Sequence, residues 1–386
     1  MTSSPIPESF PDPQIHAIDR LFEQAGLRRN LRGKTAGVTR RMRFERAEQQ
    51  ELTQPAPLPR IAPNGVQWLA VPGWEKFGRL WHGFSTRRGG LSRAYCAPKA
   101  RADAPGELNL GFTPDDTREN VAANRRLLAE AISGDPATPL VALKQIHSNL
   151  VLVAGAADED RETPRKAGVP SDRSSSLGWK AGVPSDRSSS LGWKADGLMT
   201  DSPGLLLGIQ TADCIPILVA DRKRRAVAAF HAGWRGTVSR IVQSGVGRMR
   251  LEFGSKPEDL IAAIGPGIGP CCYAVGDEVL SSFESQFAYA RELFREVYDA
   301  DQVHLRYPML FLTQRAPGHS EIGPSLHLNL AEANRRQLLA AGLKPSAIQF
   351  VGGCTNCQPE MFFSHRGSQG RAGRMMSVIG IRPENL

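Results

Sequence analysis

Runs of apolar residues, separated by charged or glycine-rich segments, predict most of the secondary structure of this chain. The sharpest pattern lies near its centre, where two apolar, β-branched runs, 215–220 and 226–230, flank the charged segment 221–225. Short apolar runs bounded by polar residues are typical of β-strands, and this pair predicts a β-hairpin. Because the charged tip lacks the Asn-Gly sequence of a tight turn, we expect a four-residue loop between the strands.

The same patterns predict further elements on both sides of the hairpin. Strands are expected at 66–74, at 80–86, on either side of a polar interruption within 140–153, at 260–264 and at each end of 348–381. Helices are expected from Thr113 or Asp115 to Ile132, over 238–253, from about 276, and over 327–343. Strands and helices are interspersed without a clean βαβ repetition. This arrangement predicts an α+β fold with mixed β-sheets flanked by helices.

Two segments fall outside these patterns. Residues 1–60 are rich in Pro, Arg and Gln, and we expect a disordered basic leader with at most a short helix at 15–25. Residues 155–194 contain two consecutive, identical copies of the unit AGVPSDRSSSLGWK. Its Ser, Gly, Pro and charged residues predict a flexible surface insert. We therefore expect one catalytic domain, 61–386, interrupted by this insert.

Composition narrows the class of protein. The chain has 386 residues, 41% of them hydrophobic, which is sufficient for a sizeable core. It has no apolar run of the length that a transmembrane helix needs. The N-terminal sequence lacks the basic and apolar regions of a secretory signal, so we expect a cytoplasmic protein. The formal net charge of +9 comes largely from scattered arginines, which argues against a nucleic-acid partner.

The six cysteines are too few and too unevenly spaced for a disulfide framework, so reduced thiols are expected. Cys354 and Cys357 form a C-x-x-C pair. A zinc ribbon needs a second such pair and a redox pair needs a thioredoxin-like context, and since neither is present we expect a structural role. The adjacent Cys271 and Cys272 would point to opposite sides of an extended segment, which would make them a poor chelate.

Cys214 and His231 are placed symmetrically about the hairpin tip. In a symmetric hairpin they lie opposite each other, with Cβ atoms about 4.5–5.5 Å apart, and a thiol and an imidazole at that spacing can share a metal ion. A slip of one residue would turn one of them to the other face, so this inference depends on the turn. His147, in the polar interruption, is a third candidate ligand. Three protein ligands and an open position are typical of catalytic zinc.

Two further polar residues near these elements are candidates for a functional role. Arg87 lies where a predicted strand leaves the sheet, and a guanidinium on such a loop can bind a phosphate or carboxylate through two hydrogen bonds. For its neighbour Arg88, a solvent-facing turn is the simpler interpretation. Asp213 adjoins Cys214, and strand neighbours point apart. We expect Asp213 to orient a ligand or to shuttle a proton, and orientation of a ligand is the better interpretation than direct catalysis.

Several motifs together resemble the YfiH or laccase-domain family, whose members were formerly described as multicopper polyphenol oxidases. These motifs are HGFSTRRGGLS (82–92), NLGF (109–112), LKQIHS (143–148), ADGLMTD (195–201), QTADCIPIL (210–218), AAFHAGWRGT (228–237), IGPGIGPCCYAVG (264–276), LNLAEANRRQL (328–338), CTNC (354–357) and FFSHRGSQGRAGRMMSVIGI (362–381). The match covers 66–386 apart from the insert. It implies a layered single domain, and a site on His147, Cys214 and His231 for Zn²⁺, with Cu²⁺ as the second possible metal.

The resemblance also implies an activity. Family members are purine nucleoside phosphorylases that act on adenosine, inosine and methylthioadenosine, with adenosine deaminase as a side activity. The expected partners are therefore a purine nucleoside and inorganic phosphate, without nucleic acid or a membrane. Arg87 matches the arginine of the family's T-R-x-G-G loop. We expect zinc and Arg87 to hold phosphate beside C1′ of the ribose, and a metal-activated water to attack C6 of adenine in deamination.

Three other functions remain open at this point. A copper-dependent polyphenol oxidase would agree with the older family name, although the eight histidines include no H-x-H pair. A cysteine hydrolase would use Cys214 as nucleophile and His231 as base. A non-enzymatic binding module would depend on the basic leader. The sequence leaves the oligomeric state open.

Overall fold

The computed structural model describes residues 58–96, 105–155, 193–297 and 325–384, together with the backbone of 165–166. All of them fall in one compact unit, Pro55–Leu386. The leader predicted at 1–60, apart from its last residues, and most of the insert predicted at 155–194 lie outside the described residues. Among the helices that are described, none has the length and apolar character that crossing a bilayer requires.

Eighteen strands, counted over the described residues, form four sheets. In chain order they are β1 (Arg60–Ile61), β2 (Gln67–Leu69), β3 (Leu80–Ser85), β4 (Arg88–Gly90), β5 (Gly106–Glu107), β6 (Leu140–Ala142), β7 (Val151–Val153), β8 (Arg165–Lys166), β9 (Gly197–Thr200), β10 (Leu206–Thr211), β11 (Ile215–Asp221), β12 (Val227–Ala232), β13 (Leu260–Ile264), β14 (Ala274–Val275), β15 (Phe294–Val297), β16 (Ser325–Leu328), β17 (Ile348–Phe350) and β18 (Met375–Ile381). Two sheets are large, with the orders β1-β2-β3-β18-β10-β6 and β17-β13-β11-β12-β9-β7-β8. Each mixes parallel and antiparallel pairs, as expected.

Five α-helices in the described residues complete the fold: α1 (Arg118–Ser133), α2 (Trp234–Val238), α3 (Ile241–Phe253), α4 (Asp277–Glu284) and α5 (Leu330–Ala340). The helix predicted from Thr113 or Asp115 begins later than expected. Thr117 is its N-cap and accepts a hydrogen bond from the backbone N–H of Asn120. The Thr113 hydroxyl is hydrogen-bonded to Tyr95 instead.

Two other helices are shorter than the periodicity predicts. The segment 238–253 is not one helix, because Arg240 adopts a left-handed conformation (φ 61°) between α2 and α3. The segment 327–343 becomes helical only at Leu330, because residues up to Leu328 pair as β16 with β15. In both places a conformation set by the surrounding fold overrides the helical pattern.

The two large sheets pack face to face, and helices cover their outer surfaces. The layer between them contains side chains from both sheets, among them Phe84, Leu207, Ile379, Leu198, Leu218 and Ala229. Leu128 and Ile132 of α1 pack on the outer face of the six-stranded sheet. Helices α3 and α5 pack on the outer face of the other sheet. This layered α+β architecture agrees with the predicted fold class.

The central hairpin forms as predicted, with a different register. Strands β11 and β12 pair antiparallel, and the backbone N–H of Asp221 donates to the carbonyl of Ala226, so a four-residue loop closes the hairpin. His231, however, lies opposite Pro216 rather than Cys214. The register differs from the symmetric one by two residues. Because side chains alternate with period two, this shift leaves Cys214 and His231 on the same face.

Candidate metal centre

Three side chains converge beside the hairpin: His147, Cys214 and His231. One nitrogen or sulfur atom from each lies within 4.8 Å of the others. His231 is buried in β12, Cys214 comes directly before β11, and His147 lies in the turn between β6 and β7 with a left-handed backbone (φ 59°). The rings of the two histidines pack edge to face, with centroids 4.9 Å apart. The structure therefore brings together the three residues that the sequence nominated as metal ligands.

Asp196 holds two of these ligands in place. Its carboxylate accepts hydrogen bonds from the backbone N–H of His147 (2.9 Å) and from both the N–H and the hydroxyl of Ser148 (2.6 and 2.7 Å). Oδ1 also lies 2.8 Å from Nδ1 of His231. These bonds fix the turn that carries His147, and they leave Nε2 of His231 as the nitrogen available to a metal ion.

Gly233 gives the three ligands the space that they need. A Cβ atom at this position would lie 3.0 Å from Cδ2 of His147 and 3.1 Å from Sγ of Cys214. Its backbone is extended (φ −72°, ψ 171°), so the glycine is required for close approach rather than for an unusual conformation. The donor set of two imidazoles and one thiol fits a borderline metal ion such as zinc or copper.

The electrostatics favour charged forms of the thiol and of one imidazole. Burial raises the pKa of Cys214, but the charge of His231 and hydrogen bonds to His147 and His231 outweigh it and lower the pKa to about 6. Burial lowers the pKa of His231, but the Cys214 thiolate and Asp196 outweigh it and raise the pKa to about 9. Between these values a thiolate lies beside an imidazolium. A divalent cation would take the place of the imidazolium proton.

Asp213 lies next to Cys214 and has a different role from Asp196. Its backbone is left-handed (φ 94°). Its carboxylate accepts hydrogen bonds from the Thr355 hydroxyl (2.6 Å) and the Arg366 backbone N–H (2.7 Å). The expected role in orienting a metal ligand is therefore indirect. Asp213 fixes the segment that leads into Cys214, whereas Asp196 is the carboxylate that contacts His231.

Arg87 does not join the cluster. Its Nε donates to Glu107 (2.8 Å), and its two terminal nitrogens donate to the carbonyls of Pro359 (2.8 Å) and Tyr95 (2.9 Å). The guanidinium also lies over the ring of Phe363. Three of the five guanidinium N–H groups are thus bound within the protein, and the geometry gives no support to the expected role of Arg87 in phosphate binding. Arg88 pairs with Glu360.

A cavity of about 620 Å³ opens over the three ligands. Its other lining residues include Phe112, Lys144, His365 and Arg374. Lys144 and His365 are exposed, while one terminal nitrogen of Arg374 donates to the carbonyls of Ala372 and Gly373. The volume is typical of a small-molecule site, and the basic residues favour an anionic or phosphate-bearing ligand.

A second cluster of cysteines contradicts one expectation. Cys271, Cys272, Cys354 and Cys357 lie together, with their sulfur atoms within 4.8 Å of one another. Cys271 and Cys272 do not lie in an extended segment. They lie within a turn in which the carbonyl of Gly269 accepts hydrogen bonds from the N–H groups of residues 272 and 273, and this turn brings both thiols to one side.

Asp196 is a site residue that the sequence patterns did not predict. The residue belongs to the ADGLMTD motif and comes directly before β9, immediately after the insert. The signal available in the sequence is an aspartate followed by glycine at the start of an apolar strand. Its partners, however, lie about 35 to 50 residues away along the chain, so the pairing itself depends on the fold.

Comparison with known proteins supports one family. The family model described as "Multi-copper polyphenol oxidoreductase laccase" matches residues 81–382. Purine nucleoside phosphorylase YlmD of Geobacillus stearothermophilus is 33% identical over 317 residues, which cover 82% of this chain and 95% of that protein. Adenosine deaminase RL5, from an unknown prokaryotic organism, is 34% identical over 184 residues, which cover 48% of this chain and 61% of that protein.

A solved structure agrees with these sequence matches. The crystal structure of the hypothetical protein YfiH of Bacillus licheniformis is similar to this one, with a TM-score of 0.62 and 28% sequence identity. The match covers 84% of this chain and 99% of that one. Because the family model spans most of the chain and the fold agrees over the same region, the chain belongs to the laccase-like YfiH family.

Proposed function

We propose that this protein is a zinc-dependent purine nucleoside phosphorylase that converts adenosine, inosine or methylthioadenosine and inorganic phosphate to the free base and the ribose 1-phosphate, with adenosine deaminase as a side activity. The observation that carries the proposal is the convergence of His147, Cys214 and His231 at a cavity with basic walls. Similar proteins named purine nucleoside phosphorylase and adenosine deaminase support the substrate class.

The cavity offers a binding group for each part of the substrates. Lys144 and Arg374 supply the positive charge that a phosphate dianion needs. The ring of Phe112 also lines the cavity, with the guanidinium groups of Arg118 and Arg125 over it, and it offers the purine an apolar contact. These side chains would hold phosphate and nucleoside side by side, and this positioning lowers the entropic barrier of the reaction.

In phosphorolysis a phosphate oxygen forms a bond to C1′ while the bond between C1′ and N9 breaks. The electron pair leaves with the base, which takes up a proton. His365, an exposed imidazole on the cavity wall, is the side chain that we assign to deliver that proton. Zinc, when bound by the three ligands, supplies Lewis acidity at its open coordination position. Asp196 keeps His231 and the turn at His147 oriented for this binding.

The test is phosphate-dependent release of base. Purified protein is incubated with adenosine, inosine or methylthioadenosine, with and without phosphate, and the base and ribose 1-phosphate are quantified. We expect base release to require phosphate, and Cys214→Ala to abolish it. Cys96→Ala is the matched control, because Cys96 belongs to neither cysteine-containing cluster. Full activity of Cys214→Ala, or release of base without phosphate, would contradict the proposal.

A copper-dependent polyphenol oxidase is the first alternative, supported by the description of the family model. The same donor set binds copper tightly, because copper(II) forms the strongest complexes in the divalent series. Metal analysis of protein purified without added copper, together with a phenol-oxidation assay before and after copper loading, separates the two functions. The phosphorylase proposal expects zinc in the purified protein and no phenol oxidation.

A cysteine hydrolase is the second alternative, and one observation favours it. Asp196, His231 and Cys214 form a chain of acid, base and thiol like that of a nucleophilic triad. The phosphorylase and the hydrolase differ in how their activity responds to removal or addition of zinc. If zinc is required, chelation abolishes activity and bound zinc protects Cys214 from alkylation. If Cys214 is a nucleophile, chelation leaves activity intact and added zinc inhibits it.

A further inference from the structure

The four clustered cysteines form a feature that the proposed catalytic site does not use. The sulfur of Cys357 lies 3.4 Å from that of Cys271 and also 3.4 Å from that of Cys272. The sulfur of Cys354 lies in the same group. All four are free thiols. They come from two segments more than 80 residues apart, so only the fold brings them together.

The distances do not favour two disulfides. A disulfide requires sulfurs about 2.05 Å apart in a defined pair, whereas Cys357 has two partners at one distance. Four thiolates bound to zinc at about 2.3 Å have sulfurs separated by about 3.8 Å along each edge of the tetrahedron. The observed spacing is close to this edge length. The cluster therefore has the size of a tetrathiolate metal site.

The backbone is arranged to present the sulfurs. The segments pair at Gly267 and Cys354, and the N–H of Thr355 donates to the carbonyl of Gly267 (3.0 Å). The N–H of Gly269 donates to the sulfur of Cys354 (3.2 Å). A Cβ atom on Gly269 would lie 3.1 Å from Cβ of Cys354 and 3.2 Å from Sγ of Cys271. Such N–H donors to sulfur stabilise thiolates, and the absence of a side chain at Gly269 lets the two turns meet.

We propose that Cys271, Cys272, Cys354 and Cys357 bind one zinc ion in a closed tetrathiolate site, distinct from the site at His147, Cys214 and His231. Four sulfur ligands fill the tetrahedral coordination shell, so this ion has a structural role and no open position for a substrate. Thiolate sulfur is the donor that zinc prefers in closed sites. The positive charge of Arg295 lies close by, since its guanidinium donates to the carbonyl of Pro270 (2.8 Å).

The four-cysteine site is connected through Asp213 to the site that contains Cys214. Thr355 lies between Cys354 and Cys357, and its hydroxyl donates to Asp213 (2.6 Å). On the other segment, the N–H of Ile268 donates to the carbonyl of Asp213 (2.8 Å). Zinc bound by the four cysteines clamps these two segments together. It thereby fixes the left-handed turn at Asp213 that leads into Cys214.

The test measures zinc in the full-length chain. Protein purified with zinc and without chelators is expected to carry about two zinc ions per chain. The double variant Cys354→Ser/Cys357→Ser and the double variant His147→Ala/Cys214→Ala are each expected to lose one of them, while Cys96→Ser keeps both. A single zinc per chain that is lost in His147→Ala/Cys214→Ala, unchanged zinc in Cys354→Ser/Cys357→Ser, or iron in place of zinc would overturn the proposal.

A measurement on the wild type covers the case in which the cysteine variants fail to fold. X-ray absorption at the zinc edge is expected to give about 2.5 sulfur ligands per zinc when both sites are filled, against about one for the three-ligand site alone. His147→Ala/Cys214→Ala loaded with cobalt is expected to keep the intense visible absorption of tetrahedral cobalt–thiolate. A value near one, or loss of that absorption, overturns the proposal. Neither readout depends on the proposed enzymatic activity.

Discussion

Asp196 and His231 form a buried pair in which Oδ1 of the carboxylate lies 2.8 Å from Nδ1 of the imidazole. The Asp196 side chain is fully buried and that of His231 is only 4% exposed. Burial raises the pKa of Asp196, but hydrogen bonds from His231 and Ser148 outweigh it, and the net pKa lies below its usual value. The carboxylate therefore stays charged while it fixes the tautomer and orientation of a proposed metal ligand.

The first prediction concerns this pair. Asp196→Ala removes the acceptor for His231 and for the turn at His147, so the affinity of the three-ligand site for zinc is expected to fall about 10- to 100-fold. Competition with a chromophoric chelator measures this affinity. Asp201→Asn changes an exposed carboxylate directly after β9. It is the control and is expected to leave the zinc affinity unchanged. An unchanged zinc affinity in Asp196→Ala would mean that Asp196 does not orient the ligand.

The second prediction concerns Gly233. In Gly233→Ala the new methyl group would press against His147 and Cys214, at 3.0 and 3.1 Å, so both ligands must move. We expect at least a 10-fold loss of zinc affinity, equal to about 1.4 kcal/mol, with little change in the free energy of unfolding of the metal-free protein. Gly247→Ala is the matched control, because a Cβ atom there meets nothing within 4 Å. An unchanged zinc affinity in Gly233→Ala would show that the site accommodates the methyl group without displacing the ligands.

The third prediction concerns the hydroxyl of Thr355, which is fully buried. Thr355→Val keeps the shape of the side chain but removes the donor to Asp213, so the buried carboxylate loses one of its two partners. The expected cost is about 1–3 kcal/mol in the free energy of unfolding, with weaker zinc binding at Cys214. Thr355→Ser keeps the hydroxyl and is expected to restore zinc binding. Equal zinc affinity in the Val and Ser variants would argue against positioning through Asp213.

The sequence placed Cys214 and His231 together correctly because their spacing puts them on one face of the hairpin. The exact register of the hairpin was wrong by two residues, yet Cys214 and His231 stayed on one face because the side-chain period of a strand is two. An even shift keeps the two side chains on one face, and a shift of only two residues also keeps them close together. The four-residue loop was predictable because the hairpin tip lacks the residues of a tight turn.

The features that the sequence did not predict depend on contacts between distant segments. Asp196 reaches His147 because β7 and β9 pair in parallel, which aligns Val151 with Gly197 across the insert. The four cysteines meet because Gly267 pairs with Cys354. The residue pattern of each segment by itself does not predict either of these pairings. An isolated C-x-x-C and an isolated Cys-Cys therefore each appeared incomplete, although together they supply four ligands.

The fourth prediction concerns pH and stability. Burial, the largest effect, lowers the pKa of His82 from 6.5 to about 4, and Nδ1 of this ring accepts a hydrogen bond from the N–H of Val71. Between these two pH values the unfolded chain binds a proton at His82 that the folded chain does not bind. The free energy of unfolding is therefore expected to fall, by up to about 3 kcal/mol, as the pH drops from about 6.5 to about 4.

Urea unfolding at several pH values measures this dependence. In His82→Gln the slope between about pH 6.5 and 4 is expected to flatten, because the titrating group is gone. His365→Gln, at an exposed imidazole, is expected to keep the wild-type slope. If His82→Gln kept that slope, the acid sensitivity would have to come from other groups.

The fifth prediction separates the structural role of Arg87 from phosphate binding. The side chain of lysine carries a single nitrogen and cannot hydrogen-bond to Glu107, Pro359 and Tyr95 at the same time. Arg87→Lys is therefore expected to lower the free energy of unfolding by about 1–3 kcal/mol while leaving the KM for phosphate unchanged. Lys144→Gln, at an exposed cation on the cavity wall, is expected to do the reverse: a higher KM for phosphate and an unchanged melting temperature. If Arg87→Lys raised the KM without loss of stability, phosphate would bind at Arg87, and the cavity assignment would be wrong.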